Sequence, residues 1–406
     1  MTIQSTFFTV LARLLAMGGP FGVSIITARA LGPEDRGLYF LVVSYAQIAA
    51  QIGNMGLQSS NTYLVAGHPE RVRAILTNSL IVSLVLGPLA AWLIVSWFGA
   101  DATPDAWASI LTAMVLAPLL ILFLLVSNIA VAIGRVVLYN FLIILSGSLA
   151  LGTAGMAAWL EADTTQFLWA AAAGVILASL IGVLALMPQC RWSLRPSLAM
   201  FRSGVSYSMR AYLATLAGFL MNRVGILVLE QQADMAVVGQ FSVAQQITEA
   251  LVLLPSTVGL LLKPSLLRMS TRAERGAATR RVALKLAAVM AILLLLVAAA
   301  TPFFLPFLFG TDYQPAVPYL LAFLPSVFLL SVVIAVSQFL SAEGFPLAQV
   351  VVWIVATVLH AVITAALIPR FGAMAIPLSF TLNTALILLC LILIATHMNR
   401  RDPSDA

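Results

Sequence analysis

The stretch ARALGPEDRGLYFLVVSYAQIAAQIGNMGLQSS, residues 28–60, decides how the rest of the chain is read. It joins one apolar segment to another through a short polar turn, then lays polar residues along a hydrophobic helix. Gly32 and Pro33 stop the first segment, because proline cannot continue a helix and glycine loses the most freedom within one. Glu34, Asp35 and Arg36 mark the turn as wet. Beyond Gly37 the chain is apolar again, but Ser44, Gln47, Gln51, Asn54 and Gln58 recur every three or four residues, which places them on one helix face. A membrane helix with such a stripe has to turn it toward protein or water, since lipid satisfies no polar group.

Composition extends this reading to the whole chain. Hydrophobic residues make up 62% and charged residues 9% of the 406, against roughly 45–50% and about 25% in soluble domains. That excludes an ordinary soluble protein and defines an all-α integral membrane protein. Crossing a hydrocarbon core takes about 20 apolar residues, and such runs recur with short interruptions. We read twelve spans: 7–28, 38–57, 74–98, 110–133, 137–160, 167–187, 208–229, 240–262, 282–305, 316–340, 347–368 and 373–396. The N-terminus lacks a basic region and a cleavage site of small residues, so it reads as a first spanning helix. Cys190 and Cys390 have neither disulfide nor metal-site spacing and read as packing residues.

The formal charge of +6 is explained by topology, not by nucleic acid. With a cytoplasmic N-terminus and alternating spans, one side collects Arg71, Arg73, Arg135, Arg191, Arg195, Arg202, Lys263, Arg268, Arg272, Arg275, Arg280, Arg281, Arg400 and Arg401. The other collects Arg29, Arg36 and Arg370. This is the positive-inside pattern, and it puts both termini in the cytoplasm. The basic segment 264–285 reads either as a solvated loop or as an amphipathic helix against anionic membrane lipids.

Internal repetition sets the expected architecture. Phe98-Gly99-Ala100-Asp101 is echoed by Phe309-Gly310-Thr311-Asp312. Ser127 and Gly134 are echoed at the same interval by Ser337 and Gly344, and Gly37-x-Tyr39 by Gly239-x-Phe241. Six spans separate the copies, so the repeats run in the same orientation, related by an axis along the membrane normal. The domain expectation is a six-helix lobe at 1–190, a cytoplasmic linker at 191–205, a second six-helix lobe at 206–398 and a tail at 399–406. Two such halves enclosing a central cavity are a transporter plan.

Intramembrane charges are the sharpest local signals, since an arginine at a helix centre costs about 2.5–3.5 kcal/mol even on insertion scales. Arg13 and Arg210 lie near the expected cytoplasmic ends, where they either serve a site or snorkel to headgroups. Arg223 is deeper, and Glu230, seven residues on, shares its face as a candidate ion-pair partner. Glu249 sits on a stripe with Ser242, Gln245 and Ser256, opposite Gln47 in the repeat. One carboxylate there either binds a proton or Na⁺ for ion coupling or pairs with a nearby arginine. His360, alone in an apolar span, reads as a hydrogen-bonded packing residue. There is no Ser/His/Asp arrangement, no carboxylate dyad and no phosphate-binding glycine loop after a strand, so no enzyme, metal or cofactor is expected.

The segment A-R-x-L-G-P-E-D-R-G-L-Y at residues 28–39, with Ile52-Gly53-Asn54-Met55-Gly56-Leu57, G-Q-F-S-V-A at 239–244 and Pro264-Ser265-Leu266, resembles bacterial polysaccharide flippases. These are lipid-linked oligosaccharide exporters of the multidrug/oligosaccharidyl-lipid/polysaccharide superfamily. The resemblance implies a MATE-like fold and translocation of an undecaprenyl-diphosphate-linked oligosaccharide across the bacterial inner membrane by alternating access. The implied partners are the lipid-linked glycan and, in assembly, a polysaccharide polymerase. Read with the intramembrane charges, the polar stripe and the repeat, Arg13, Gln47, Gln51, Asn54, Arg210 and Arg223 are the candidate substrate contacts, Glu249 the candidate for ion coupling, and Glu34, Asp35 and Arg36 a gate or rim. The lipid II flippases of the superfamily fit less well, having two more helices and a more cationic cavity. A drug or metabolite antiporter of the same fold is the alternative. A membrane enzyme of polysaccharide assembly is more distant, because it would need a large outer loop.

Overall fold

In the computed structural model the backbone is described for residues 3–66, 68–98 and 104–400, and side chains from Gly18 onward apart from a few positions around 67, 99–109 and 399–400. Among these residues all regular structure is helical: α1 (Ile3–Gly53), α2 (Leu57–Val65), α3 (Val72–Phe98), α4 (Pro104–Ala132), α5 (Val136–Trp159), α6 (Thr164–Leu186), α7 (Leu198–Glu230), α8 (Met235–Leu267), α9 (Arg272–Phe309), α10 (Ala316–Ala342), α11 (Leu347–Phe371) and α12 (Ala375–Arg400), with short single-turn helices between some of them. Among the described residues, nine helical stretches are long and apolar enough to cross a membrane, or ten if the bent pair formed by residues 18–53 and α2 counts as one. The chain divides into two compact units, residues 1–212 and 213–406.

The 51 residues of α1 would make a straight helix of about 77 Å at 1.5 Å per residue, more than twice a ~30 Å hydrocarbon core. Gly32, at φ 73 and ψ 177, bends it into two arms. Pro33 opens the second arm, where the missing N–H costs little. Arg36 then folds back across the bend. It is 1% exposed and donates to the Ser24 carbonyl, to Thr27 Oγ1 at 2.7 Å and to Ser24 Oγ at 2.9 Å. The second arm was expected to run to Leu57. Instead it breaks after Gly53, with Met55 at φ 47 and Gly56 at φ 76, before the short α2. Asn54 stabilises the break: its amide donates to the Gln51 carbonyl at 2.9 Å and its Oδ1 accepts from Gly56 N at 2.9 Å.

The first unit packs around Val65, Val72, Ile75, Leu76, Val126, Ile129, Leu142, Leu186 and Cys190, which makes Cys190 a core residue. The first arm of α1 meets α5 so closely that a Cβ on Gly19 would lie 2.6 Å from the Gly147 carbonyl oxygen. Small residues permit such crossings, which membrane helices use in place of a hydrophobic driving force. Residues 193–197 have no regular structure and are pinned to α3, with Arg195 N donating to Thr77 Oγ1 at 3.0 Å and Asn78 exchanging two hydrogen bonds with the backbone of Ser197. Helix α7 starts at Leu198, ten residues ahead of the expected seventh span.

In the second unit Phe241 of α8, Phe323 of α10 and Phe380 of α12 form an aromatic chain with centroids 5.7 and 6.0 Å apart. The basic segment after Pro264 is neither a loop nor a separate surface helix. Helix α8 runs through Pro264 to Leu267, and a capping box between Thr271 and Glu274 starts α9 at Arg272. Two of its cations turn inward: Arg272 and Arg275 grip Glu343, 4% exposed, at 2.8 and 2.7 Å. Arg272 also donates to the Met398 carbonyl at 2.7 Å, which ties the ends of α9, α10 and α12 together. The repeat has a structural counterpart in each unit: Gly134 after α4 and Gly344 after α10 have φ of 79 and 99. These are helix-ending conformations that favour glycine.

Candidate functional site

The second unit brings together three of the polar residues singled out in the sequence. Arg223 lies two turns from the end of α7, and Gln245 and Glu249 stand one turn apart on α8. The Arg223 guanidinium meets Glu249 with both nitrogens, Nη1 to Oε1 at 2.9 Å and Nη2 to Oε2 at 3.2 Å. Gln245 Nε2 donates to Glu249 Oε1 at 3.2 Å and to the Asn222 carbonyl on α7 at 2.7 Å. The guanidinium also lies 5.8 Å from the Phe219 ring centroid, within cation–π range. Hence one carboxylate is oriented from both helices.

Burial is uneven across this pair, and that asymmetry matters. The Arg223 side chain is 7% exposed and that of Glu249 37%. The cation is held in protein while the carboxylate reaches accessible space. Nearby on α8, Ser242 Oγ donates to the Gly239 carbonyl and Thr248 Oγ1 to that of Ala244. Ser256 is exposed. Arg223 is thus paired with Glu249 across the helix pair, a contact that spacing along α7 alone, which offered Glu230, could not show.

The remaining expected residues are dispersed. Gln47 and Gln51 are half-buried on the second arm of α1, and Gln47 Oε1 and Gln51 Nε2 are buried atoms with no hydrogen-bond partner. Asn54 is committed to the helix break. Arg210 is exposed on α7, and Glu34 and Asp35 are exposed beside the bend. Arg36, grouped with them at the rim, is instead the buried brace of that bend. Arg13 lies on α1, and its side chain is outside the described residues. Phe98 precedes a motif whose Gly99, Ala100 and Asp101 are also outside them. His360 is fully buried, with Nδ1 2.8 Å from Ser379 Oγ, as a packing histidine would be. No group of three or more His, Cys, Asp or Glu able to hold a metal occurs among the described residues.

The fold defines a class, that of helical membrane proteins, and is shared with solved MOP-superfamily transporters. The chain superposes on an inward-facing multidrug-resistance MATE-family transporter with a TM-score of 0.78 at 15% identity, covering 94% of each chain. The lipid II flippase MurJ in an inward-closed conformation gives 0.75 at 10% identity, over 97% of this chain and 88% of that one. A MOP-superfamily transporter from Pyrococcus furiosus gives 0.65 at 14%, over 98% and 96%. At these identities the likeness is one of fold. No curated protein sequence matches. The family profile described as polysaccharide biosynthesis protein matches residues 2–264, and the chain belongs to that family.

Proposed function

We propose that this protein flips an undecaprenyl-diphosphate-linked oligosaccharide across the bacterial inner membrane, with both termini cytoplasmic and twelve spans arranged as two six-helix lobes, 1–190 and 206–398. The observation that carries the proposal is the two-point Arg223–Glu249 contact, one hydrogen bond at 3.2 Å and one ion contact at 2.9 Å. A guanidinium fork recognises carboxylate and phosphate with the same geometry. Glu249, the more exposed partner, holds the fork in the absence of substrate. A diphosphate displaces it, and the released carboxylate takes up a proton or Na⁺, which couples transport to an ion. Gln47, Gln51 and Asn54 replace sugar-bound water, while Arg13 and Arg210 add phosphate contacts. Lobe rocking moves the headgroup past the apolar core. The exposed cations Arg280, Arg281 and Lys285 at the start of α9 meet anionic lipid headgroups. A polysaccharide polymerase receives the product.

The test uses proteoliposomes loaded with an undecaprenyl-diphosphate-linked trisaccharide, with lectin capture reporting arrival in the opposite leaflet. Wild-type protein should accelerate transfer. Arg13→Ala/Arg223→Ala should abolish it at normal expression, and Glu249→Gln should remove its dependence on an imposed proton or Na⁺ gradient. Full transfer by the arginine double variant would sink the substrate assignment. The rival reading, a drug antiporter, draws on the MATE superposition. It predicts gradient-driven efflux of ethidium with no glycolipid transfer.

A further inference from the structure

Tyr63 of α2 and Tyr207 of α7 stack face to face, their ring centroids 4.0 Å apart at an interplanar angle of 11°. Both lie in the first unit and are 57% and 56% exposed. Neither phenol hydroxyl has a partner among the described residues. The pair therefore presents two outward aromatic faces and two free hydroxyls. Its surroundings are polar: Ser59 lies one turn before Tyr63, and Ser203, Ser206 and Arg210 lie within a turn or so of Tyr207, all of them exposed. A helix face turned to acyl chains would not carry three serines and an arginine.

The pair is also held in place. Helix α2 exists because the chain breaks at residues 54–56, and that break packs directly on α7. A Cβ on Gly56 would lie 2.7 Å from both Ser208 Oγ and Tyr212 Cβ, and the Tyr212 hydroxyl donates to the Ile52 carbonyl at 2.9 Å. The two rings are thus preorganised by the backbone beneath them, so little ordering is left to a ligand.

We propose that the Tyr63–Tyr207 stack is a platform for a pyranose ring of the carried glycan, with Arg210 contacting the adjoining phosphate. The proposal rests on the flippase reading above. One aromatic face takes the axial C–H face of the sugar, the phenol hydroxyls and neighbouring serines take its hydroxyls, and the cation takes the negative charge that joins sugar to lipid.

Full-length protein in nanodiscs would be titrated calorimetrically with two soluble probes, citronellyl diphosphate and citronellyl-diphosphate-linked N-acetylglucosamine. Wild-type protein should bind the glycosylated probe more tightly. Tyr63→Ala and Tyr207→Ala should weaken the glycosylated probe about fivefold, the affinity equivalent of ~1 kcal/mol, and leave the bare diphosphate unchanged. Tyr63→Phe should retain most of the sugar increment, whereas Arg210→Ala should weaken both probes. Tyr63→Leu keeps bulk on α2 and should behave as Tyr63→Ala, which covers a folding failure of the smaller variant. An intact sugar increment in the Tyr63 and Tyr207 variants, with only thermal stability lowered, would make the pair an interfacial anchor and overturn the inference while leaving the flippase reading standing. Wild-type protein that binds neither probe would overturn both.

Discussion

Glu249→Gln should destabilise the second unit more than Arg223→Met, although both break the same pair. Two opposite charges about 4 Å apart attract by ~4 kcal/mol at an effective dielectric of about 20. Glu249 is 37% exposed, so solvent screens the pair, and roughly half that value, ~2 kcal/mol, is the expected coupling. The cost of orphaning each partner differs. Without the carboxylate, the Arg223 cation stays in a site only 7% exposed, and a buried charge that has lost this carboxylate should cost ~2–3 kcal/mol. Without the guanidinium, Glu249 can hydrate and keeps its bond from Gln245, for a cost of ~1–2 kcal/mol. A double-mutant cycle measures both quantities, through urea unfolding of the full chain in micelles followed by circular dichroism. The double variant should cost less than the sum of the single variants by ~2 kcal/mol. Additivity within ~0.5 kcal/mol, or a larger cost for Arg223→Met, would refute the reasoning.

Two further expectations concern the first unit. Arg36→Ala, which orphans the buried Ser24 and Thr27 acceptors, should cost ~2–4 kcal/mol. Arg36→Lys should recover less than half of that, because one ammonium cannot reproduce the fork; thermal unfolding within experimental error of wild type would remove Arg36 as the brace. Gly56→Ala should cost ~2–4 kcal/mol, from the left-handed backbone at φ 76 and the 2.7 Å approaches to α7. Gly152→Ala, whose added Cβ meets nothing within 4 Å, is the control. Equal melting shifts for the two glycine variants would contradict the packing described at the helix break.

Much of the architecture is written locally. A run of apolar residues long enough to cross lipid must become a helix there, because no other backbone conformation satisfies its own polar groups. Composition and run length thus determine the membrane class and most helix positions. Gly32 and Pro33 mark the bend in α1, and the paired glycines 134 and 344 mark equivalent helix ends. The polar face of residues 44–58 is likewise plain from spacing. Its internal differences are not: Asn54 is consumed by a break that depends on Met55 and Gly56 leaving the helical region, and the periodicity gave no hint that α2 is separate.

What only the tertiary structure decided is which side chains meet across helices. Spacing along one helix offered Arg223 the same-face Glu230, and only the packing of α7 against α8 shows that Glu249 meets it. The bend of α1 turns Arg36 inward while Glu34 and Asp35 stay exposed, a distinction that three adjacent polar letters cannot carry. Tyr63 and Tyr207 come from distant segments and stack only because the break at Gly56 seats α2 on α7. Helical periodicity assigns each residue a direction, but the crossing of two helices decides what stands in that direction.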